Sequence, residues 1–168
     1  MMNYRKIKHV LSKVFMCITF LGGMVWMSSC SDIDCPVTNG VWSNYVVKGD
    51  TLHDTLTISA IRENKPDTVL LNKQVNTTKF SLPMSYNGEK DKLRFVFTSK
   101  AGVTTIDTVT ISKTNISHFE SIDCSPTFFH TLTAISAKGT RVKKVDINNP
   151  NVDYDGTKEH IFISFTNP

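Results

Sequence analysis

The chain has 168 residues and a formal net charge of +4, and 40% of its residues are hydrophobic. Four of its 19 basic residues lie within the first thirteen positions, and the other 15 are balanced by 15 acidic residues. Outside this N-terminal head the chain is therefore formally neutral, which argues against nucleic-acid binding, because such binding needs a basic face. Residues 40–168 are long enough for one domain with a core and too short for two.

An apolar run follows the basic head. Residues 14–26 are mostly Phe, Ile, Leu, Met, Val and Trp. These 13 residues suit the core of a signal peptide, and they fall short of the roughly 20 that a helix needs to span a bilayer. We predict that residues 1–29 form a signal peptide, which takes Cys17 with it when it is removed.

A cysteine preceded by two small residues closes this segment, in the order Met27-Ser28-Ser29-Cys30. The order resembles the bacterial lipobox, although Met27 stands where leucine is usual. The resemblance implies that Cys30 receives a diacylglycerol and becomes the new N-terminus. A cysteine with more than one acyl chain anchors a protein stably, so we expect a cell-envelope lipoprotein in the outer membrane. The alternative is an ordinary signal peptide with a coincidental cysteine.

The predicted tether, residues 30–39, places Asp32 and Asp34 close behind the lipidated cysteine. Acidic residues at this place resemble the surface-export signal of Bacteroidota lipoproteins, but Ile33 interrupts the acidic run. A solvated linker is the alternative interpretation. The face of the outer membrane on which the domain lies therefore stays open.

Cys35 and Cys124 are the two cysteines that remain after this processing. Paired cysteines outside the cytoplasm are usually oxidised, so we predict a disulfide between them, with two buried free thiols as the alternative. The disulfide leaves a free tether of five residues, which reaches at most about 17 Å when extended.

Alternation of apolar and polar residues predicts strands, and helical periodicity is not found in the domain. The predicted strands begin near Trp42 and continue at 55–61, 68–71, 79–82, 93–98, 103–112, 128–135, 141–147 and 160–165. Turn residues separate them, notably at 64–67, 86–89, 100–102 and 148–150. Eight or nine short strands at regular spacing predict an all-β protein, an antiparallel β-sandwich of immunoglobulin-like general form. A β-barrel is the alternative.

Three of these strands have a face that the alternation identifies. The strand at 93–98 places Leu93, Phe95 and Phe97 on one face, and a turn at 100–102 makes it a hairpin with the next strand. The face of that next strand consists of Thr105, Asp107, Val109 and Ile111. The chain is expected to end in the sheet, with Ile161, Ile163 and Phe165 on one face of the final strand.

The densest polar stretch, residues 114–125, carries a family resemblance. The chain resembles a family of small Bacteroidota lipoproteins of unknown function, and the resemblance covers nearly the whole mature chain. It implies a lipid-anchored β domain without a known activity, ligand or catalytic residue. The matching features are Thr114-Asn115, His118-Phe119-Glu120-Ser121, Asp123-Cys124-Ser125, Phe128-Phe129-His130-Thr131, Phe80-Ser81-Leu82-Pro83 and the run from Asn149 to Asp155.

The same stretch suggests catalytic chemistry on its residue types alone. His118-x-Glu120 resembles half of a zinc deaminase signature, but the downstream cysteine pair is missing. A metal site made by His118, Cys124 and His130 has a spacing that matches no common zinc pattern. The alternative interpretation is a structural corner in a strand-to-strand crossover.

A second candidate is a calcium loop. Asn151-x-Asp153-x-Asp155-Gly156 reproduces the first six positions of such a loop, with Thr157 and Glu159 as further ligands. The position that requires a bidentate Glu is Phe162. An Asx-rich turn between strands is the alternative, so we predict no cofactor and keep the loop as a calcium candidate.

These observations favour a non-catalytic envelope lipoprotein that binds the membrane through its lipid and an envelope protein or glycan through its domain. A metal-dependent or hydrolytic enzyme that uses His118, Glu120 and His130 is the first alternative. A fimbria-like polymerising subunit is the second.

Overall fold

The computed structural model describes Cys35 and residues 40–166. The predicted signal peptide, the lipidation site Cys30, and the predicted tether apart from Cys35 lie outside the described residues. The described residues belong to one compact unit, which starts at Cys35. They form ten strands: β1 (Trp42–Val47), β2 (Thr55–Ala60), β3 (Thr68–Gln74), β4 (Lys79–Pro83), β5 (Lys90–Thr98), β6 (Thr104–His118), β7 (Thr127–Lys138), β8 (Val142–Ile147), β9 (Asn151–Val152) and β10 (Ile161–Phe165).

The strands form two sheets. The smaller has the order β4-β1-β10-β8, and the larger has the order β3-β2-β5-β6-β7-β9. Neighbouring strands are antiparallel apart from β1 and β10, which are parallel. The larger sheet curls into a half-barrel, and the two sheets form a sandwich-like arrangement. The predicted β-sandwich is therefore confirmed in its general form.

The core lies between the two sheets and uses the faces that alternation predicts. Leu93, Phe95 and Phe97 of β5 are buried, and the β5–β6 hairpin pairs them with β6. Burying three such side chains contributes roughly 1.5–3 kcal/mol each. From the smaller sheet, Tyr45 stacks on Phe80 with ring centroids 4.6 Å apart. The remaining large members are Leu52, Leu56, Ile58, Leu82, Met84, Val109, Ile111, Leu132, Ile161 and Ile163.

Asp107 is a carboxylate on the buried face of β6, with 1% of its surface exposed. Its oxygens accept the backbone N–H groups of Thr140 at 3.0 Å, Arg141 at 2.8 Å and Val142 at 2.6 Å. The turn before them requires Gly139, because φ there is +149° and a Cβ would lie 2.0 Å from the Asp107 Cγ. This group holds the start of β8 against β6.

Arg141 extends this group across the sandwich. Its guanidinium pairs with Asp54 at 2.6 Å, just before β2, and its Nε donates to the carbonyl of Thr166 at 2.9 Å, just after β10. Asp54 precedes a strand of the larger sheet, and Thr166 follows a strand of the smaller one. Arg141 therefore ties the two sheets together near the beginning of β6.

Two strand boundaries differ from the prediction. The strand predicted to end at residue 112 continues to His118, so β6 has 15 residues. The polar residues 114–118 stay in the ladder because each pairs with a residue of β7. A short strand, β9, also occupies the start of the calcium candidate, where Asn151 pairs with Thr131.

Candidate functional site

Strands β6 and β7 are antiparallel neighbours, and a hairpin loop, residues 119–126, joins them. We call this loop the crossover, after the element predicted from the sequence. The sequence-predicted candidates gather around it. The strands stay paired as far as His118 and Thr127. Glu120 and Cys124 lie within the crossover, and His130 lies three residues into the ladder beyond it. Residues 114–118 belong to β6, so the structural corner suggested for this polar stretch begins only after His118.

His118 packs on an aromatic surface. Its ring stacks on Phe129 with centroids 4.4 Å apart and planes 17° apart. Tyr154 meets both rings edge-on, and its hydroxyl donates to Thr127 Oγ1 at 2.7 Å. The imidazole Nε2 lies 3.1 Å from Glu120 Oε1, and both side chains are about half exposed. These contacts give His118 a packing role and give Glu120 a partner.

A buried polar network lies on the inner face of the same strands. Lys113 has a side chain with no exposed surface, and its ammonium contacts Asp91 Oδ1 at 3.1 Å and the Gly88 carbonyl at 3.3 Å. Burial raises the pKa of Asp91, and the nearby Lys113 charge opposes that rise. The network therefore holds an ion pair in the interior, where breaking one partner is costly.

Asn115 joins this network to His130. Its amide donates to the carbonyls of Tyr86 at 3.2 Å and Gly88 at 2.9 Å. Its Oδ1 is then the acceptor that faces His130 Nδ1 at 2.8 Å, so this nitrogen carries the proton. Burial and the charge of Lys113 lower the pKa of His130 to about 4. His130 is therefore neutral near pH 7.

His118 and His130 lie on opposite faces of the sheet. Asn115 and His118 are three positions apart in a regular stretch of β6, so their side chains point to opposite sides of the sheet. His130 pairs directly with Asn115 and shares its face. The structure thus brings His118 and Glu120 together, but it does not bring His130 to them.

Cys124 is joined to Cys35 by a disulfide, the pairing that the sequence predicts. The two Cα atoms are 5.5 Å apart, within the ordinary range for a bridge. Because its sulfur is bonded, Cys124 cannot supply a thiolate to the metal site suggested with His118 and His130. The bridge ties a residue of the tether to the crossover.

The calcium candidate is organised by its own lysine. Lys158 Nζ lies 2.5 Å from Asp153 Oδ2 and 3.8 Å from Asp155 Oδ2. Asp155 Oδ1 also accepts the backbone N–H and hydroxyl of Thr157, and hydrogen bonds with Lys158 lower the pKa of Asp153. An ammonium therefore neutralises the carboxylates that calcium would need.

Other members of the candidate loop are turned to different partners. Asn151 is in β9, and Glu159 pairs with Lys48 at 3.8 Å. Within the described part of the chain, no group of three or more His, Cys, Asp or Glu side chains is arranged to hold a metal.

The crossover also exposes large apolar side chains that the sequence analysis did not single out. Phe119 is 62% exposed and Ile122 is 93% exposed. Period-two alternation identifies faces of strands, and it gives no signal for an apolar residue in an irregular segment. Across Cys35 and residues 40–166, no helix is long and apolar enough to span a membrane.

The comparison with protein families identifies a relationship over most of the domain. The model of DUF6452, a family of unknown function, matches residues 55–165. The chain belongs to DUF6452. No curated protein and no solved structure matches it.

The DUF6452 match spans the chain from β2 to the end of β10. It includes the buried network, the crossover and Cys124. It begins downstream of Cys30, Cys35 and β1. The family match therefore bears on the domain that carries the crossover, and the lipobox-like sequence is an observation separate from it.

Proposed function

We propose that this DUF6452 protein is a non-catalytic lipoprotein of the cell envelope, anchored in the outer membrane through Cys30 and acting as a binding or structural module. It would then be one of the small Bacteroidota lipoproteins that its sequence resembles. The observation that carries the proposal is the disulfide between Cys35 and Cys124. It fits an exported protein, because disulfides persist in oxidising compartments.

The position of this disulfide suits an anchored domain. Cys35 lies five residues after Cys30, so the bridge leaves a span of at most about 17 Å between the lipidated residue and the folded domain. A lipoprotein with this tether holds its domain close to the bilayer and in a restricted orientation. A long flexible stalk would do neither.

The contacts of the two histidines support a non-catalytic role. His118 stacks on Phe129 and pairs with Glu120, while His130 donates to Asn115 in the interior. An enzyme built on His118, Glu120 and His130 would need all three to face one substrate. Since the histidines lie on opposite faces of the sheet, a packing role for each is the better explanation.

The sheet edges are poorly suited to polymerisation by strand addition. Edge strand β3 contains irregular pairing with β2, and Lys73 within it has φ of +50°. Edge strand β4 ends in Pro83, and edge strand β8 carries Lys143 and Lys144. Such features protect an edge against pairing, and β10, the last strand, is already paired on both sides.

An envelope protein or a glycan is the partner that we propose for the domain. Beside His118 the outer surface of the larger sheet leaves Ile116 52% and Tyr154 47% exposed. Aromatic and apolar side chains of this kind are common in protein interfaces and stack well on ligands. This surface is the first place to look for the partner.

Photo-crosslinking in intact membranes tests this surface. A photoreactive residue at Ile116 should form an adduct, whereas one at Val69, which is 55% exposed on β3 of the same sheet, should not. Protease treatment of the adduct distinguishes a protein from a glycan. Equal labelling at the two positions would contradict the assignment of this surface.

Metabolic labelling with a radioactive fatty acid tests the anchor. The unmodified chain and Cys17→Ala should both be labelled and recovered in membranes, because Cys17 belongs to the predicted signal peptide. Cys30→Ala should be unlabelled and remain an unprocessed precursor. Label on Cys30→Ala, or its normal mature N-terminus in the soluble fraction, would sink the lipoprotein proposal.

A further inference from the structure

The crossover between β6 and β7 presents apolar side chains to the surroundings of the domain. Ile122 is 93% exposed and Phe119 is 62% exposed. Residues 114–126 contain no Lys or Arg, and their charged side chains are the carboxylates of Glu120 and Asp123. The segment therefore offers no Lys or Arg to attract an acidic partner, and its largest exposed side chains offer apolar contact.

The disulfide places this segment beside the tether. Cys124 is two residues after Ile122, and its Cα lies 5.5 Å from that of Cys35. Cys35 is five positions after Cys30 in the sequence, and an extended chain of five steps spans at most about 17 Å. A lipid on Cys30 therefore keeps the crossover close to the bilayer, whatever path the tether takes.

Two exposed tyrosines of the described residues lie beside the strands that the crossover joins. Tyr154 contacts Phe129 and His118, and Tyr86 stacks on Phe128, the second residue of β7, at 5.4 Å. Tyr and Trp are amphipathic and favour the interface between membrane and water.

We propose that Phe119 and Ile122 insert into the interfacial layer of the membrane in which Cys30 is anchored. The inference rests on the proposed lipid anchor and adds a second point of contact, which fixes the orientation of the domain. Because the charges of the loop are acidic, anionic lipids do not attract it, and the contact depends on its apolar side chains. We therefore expect the contact to form on a zwitterionic bilayer and to be insensitive to salt. The β5–β6 hairpin then points away, because β6 has 15 residues and spans about 50 Å along the strand.

Quenching of tryptophan by brominated lipid tests the inference with the full lipidated chain in phosphatidylethanolamine vesicles. Both test variants carry Trp42→Phe, which removes the tryptophan of β1. One adds Phe119→Trp and the other, as the matched control, adds Val103→Trp in the hairpin, where the native residue is 64% exposed. A third chain carries Trp42→Phe alone, so that any tryptophan emission from it comes from Trp26. Trp26 should be removed with the signal peptide, and this chain should then show no tryptophan emission.

We expect all three chains to float with the vesicles. Brominated lipid should reduce the emission of the Phe119→Trp variant at least twofold, at low and high salt alike, and leave the emission of the Val103→Trp variant unchanged. Failure to float, or emission from Trp26, would overturn the anchor and this inference with it. Flotation of the Phe119→Trp variant without quenching would overturn the loop contact alone. In that case a photoreactive residue at position 119 would test for a second copy of the chain, and crosslinked dimers would identify that copy as the occupant.

Discussion

Replacing Asp107 by alanine should destabilise the domain by about 2–4 kcal/mol. The buried carboxylate accepts three backbone N–H groups, and a buried N–H that loses its partner costs about 1–3 kcal/mol. Arg141 is 8% exposed and bears this cost in full, whereas the residues on either side of it, Thr140 and Val142, are less buried, so water can replace part of the lost bonding there. The expected loss is therefore smaller than the sum of three fully buried bonds.

Urea unfolding of the mature protein, followed by intrinsic fluorescence, measures this loss. Asp107→Asn should cost less than Asp107→Ala, because its remaining oxygen can accept the two N–H groups that now bond to Oδ2. Thr105→Ala, two residues away on the same strand, should change the free energy of unfolding by less than about 0.5 kcal/mol. An Asp107→Ala chain as stable as the unmodified protein would refute the reasoning.

Gly139 provides an independent check on the same contact. An alanine there would place its Cβ 2.0 Å from the Asp107 Cγ. Gly139→Ala should therefore cost more in the unmodified chain than in the Asp107→Ala background, where the Cγ is gone. Equal costs in the two backgrounds would show that the two residues do not interact.

Three further predictions concern the disulfide, a buried histidine and the acidic loop. Replacing both Cys35 and Cys124 by serine removes a crosslink with a sequence separation of 89, so urea unfolding should report a loss of up to about 4.6 kcal/mol; an unchanged midpoint would count against a stabilising bridge. His130 has a pKa of about 4 when folded and 6.5 ordinarily, so the unfolded chain binds the proton first and stability falls as the pH drops from about 6.5 to about 4. His130→Gln should flatten this slope by at most about 1.4 kcal/mol per pH unit, and an unchanged slope would contradict its assignment to His130. The thermal midpoint should be equal in millimolar calcium and in chelator because Lys158 already neutralises Asp153; a rise of several degrees with calcium, lost in Asp153→Ala, would make the loop a metal site.

Much of the fold follows from local sequence pattern. Period-two alternation identifies the buried face of β5, and turn residues locate the β5–β6 hairpin, because both are properties of neighbouring residues. The pairing of Cys35 with Cys124 follows from counting cysteines once the signal and lipidated cysteines are set aside. Strand order does not follow, since the parallel pairing of β1 with β10 joins the two ends of the domain.

The surroundings of the candidate site depend on contacts between distant residues. An Asp on the buried face of β6 is unexplained until residues 33 to 35 positions later supply its three N–H partners. The continuation of β6 to His118 depends on pairing with β7. The stretch from Thr114 to His118 is mostly polar and has no apolar-polar alternation that would predict a strand. A lysine is usually expected at the surface, but the side chain of Lys113 is fully buried. Its ammonium contacts the Asp91 carboxylate and the Gly88 carbonyl, which come from a distant part of the sequence.

Lipid attachment at Cys30 is tested most directly by mass spectrometry of the N-terminal peptide of the protein purified from membranes. We predict that this peptide begins at Cys30, carries a diacylglyceryl group on the Cys30 sulfur, and is linked through Cys35 to the peptide that contains Cys124. A mature chain that begins at another residue, or a Cys30 with an unmodified thiol, would contradict the proposed anchor.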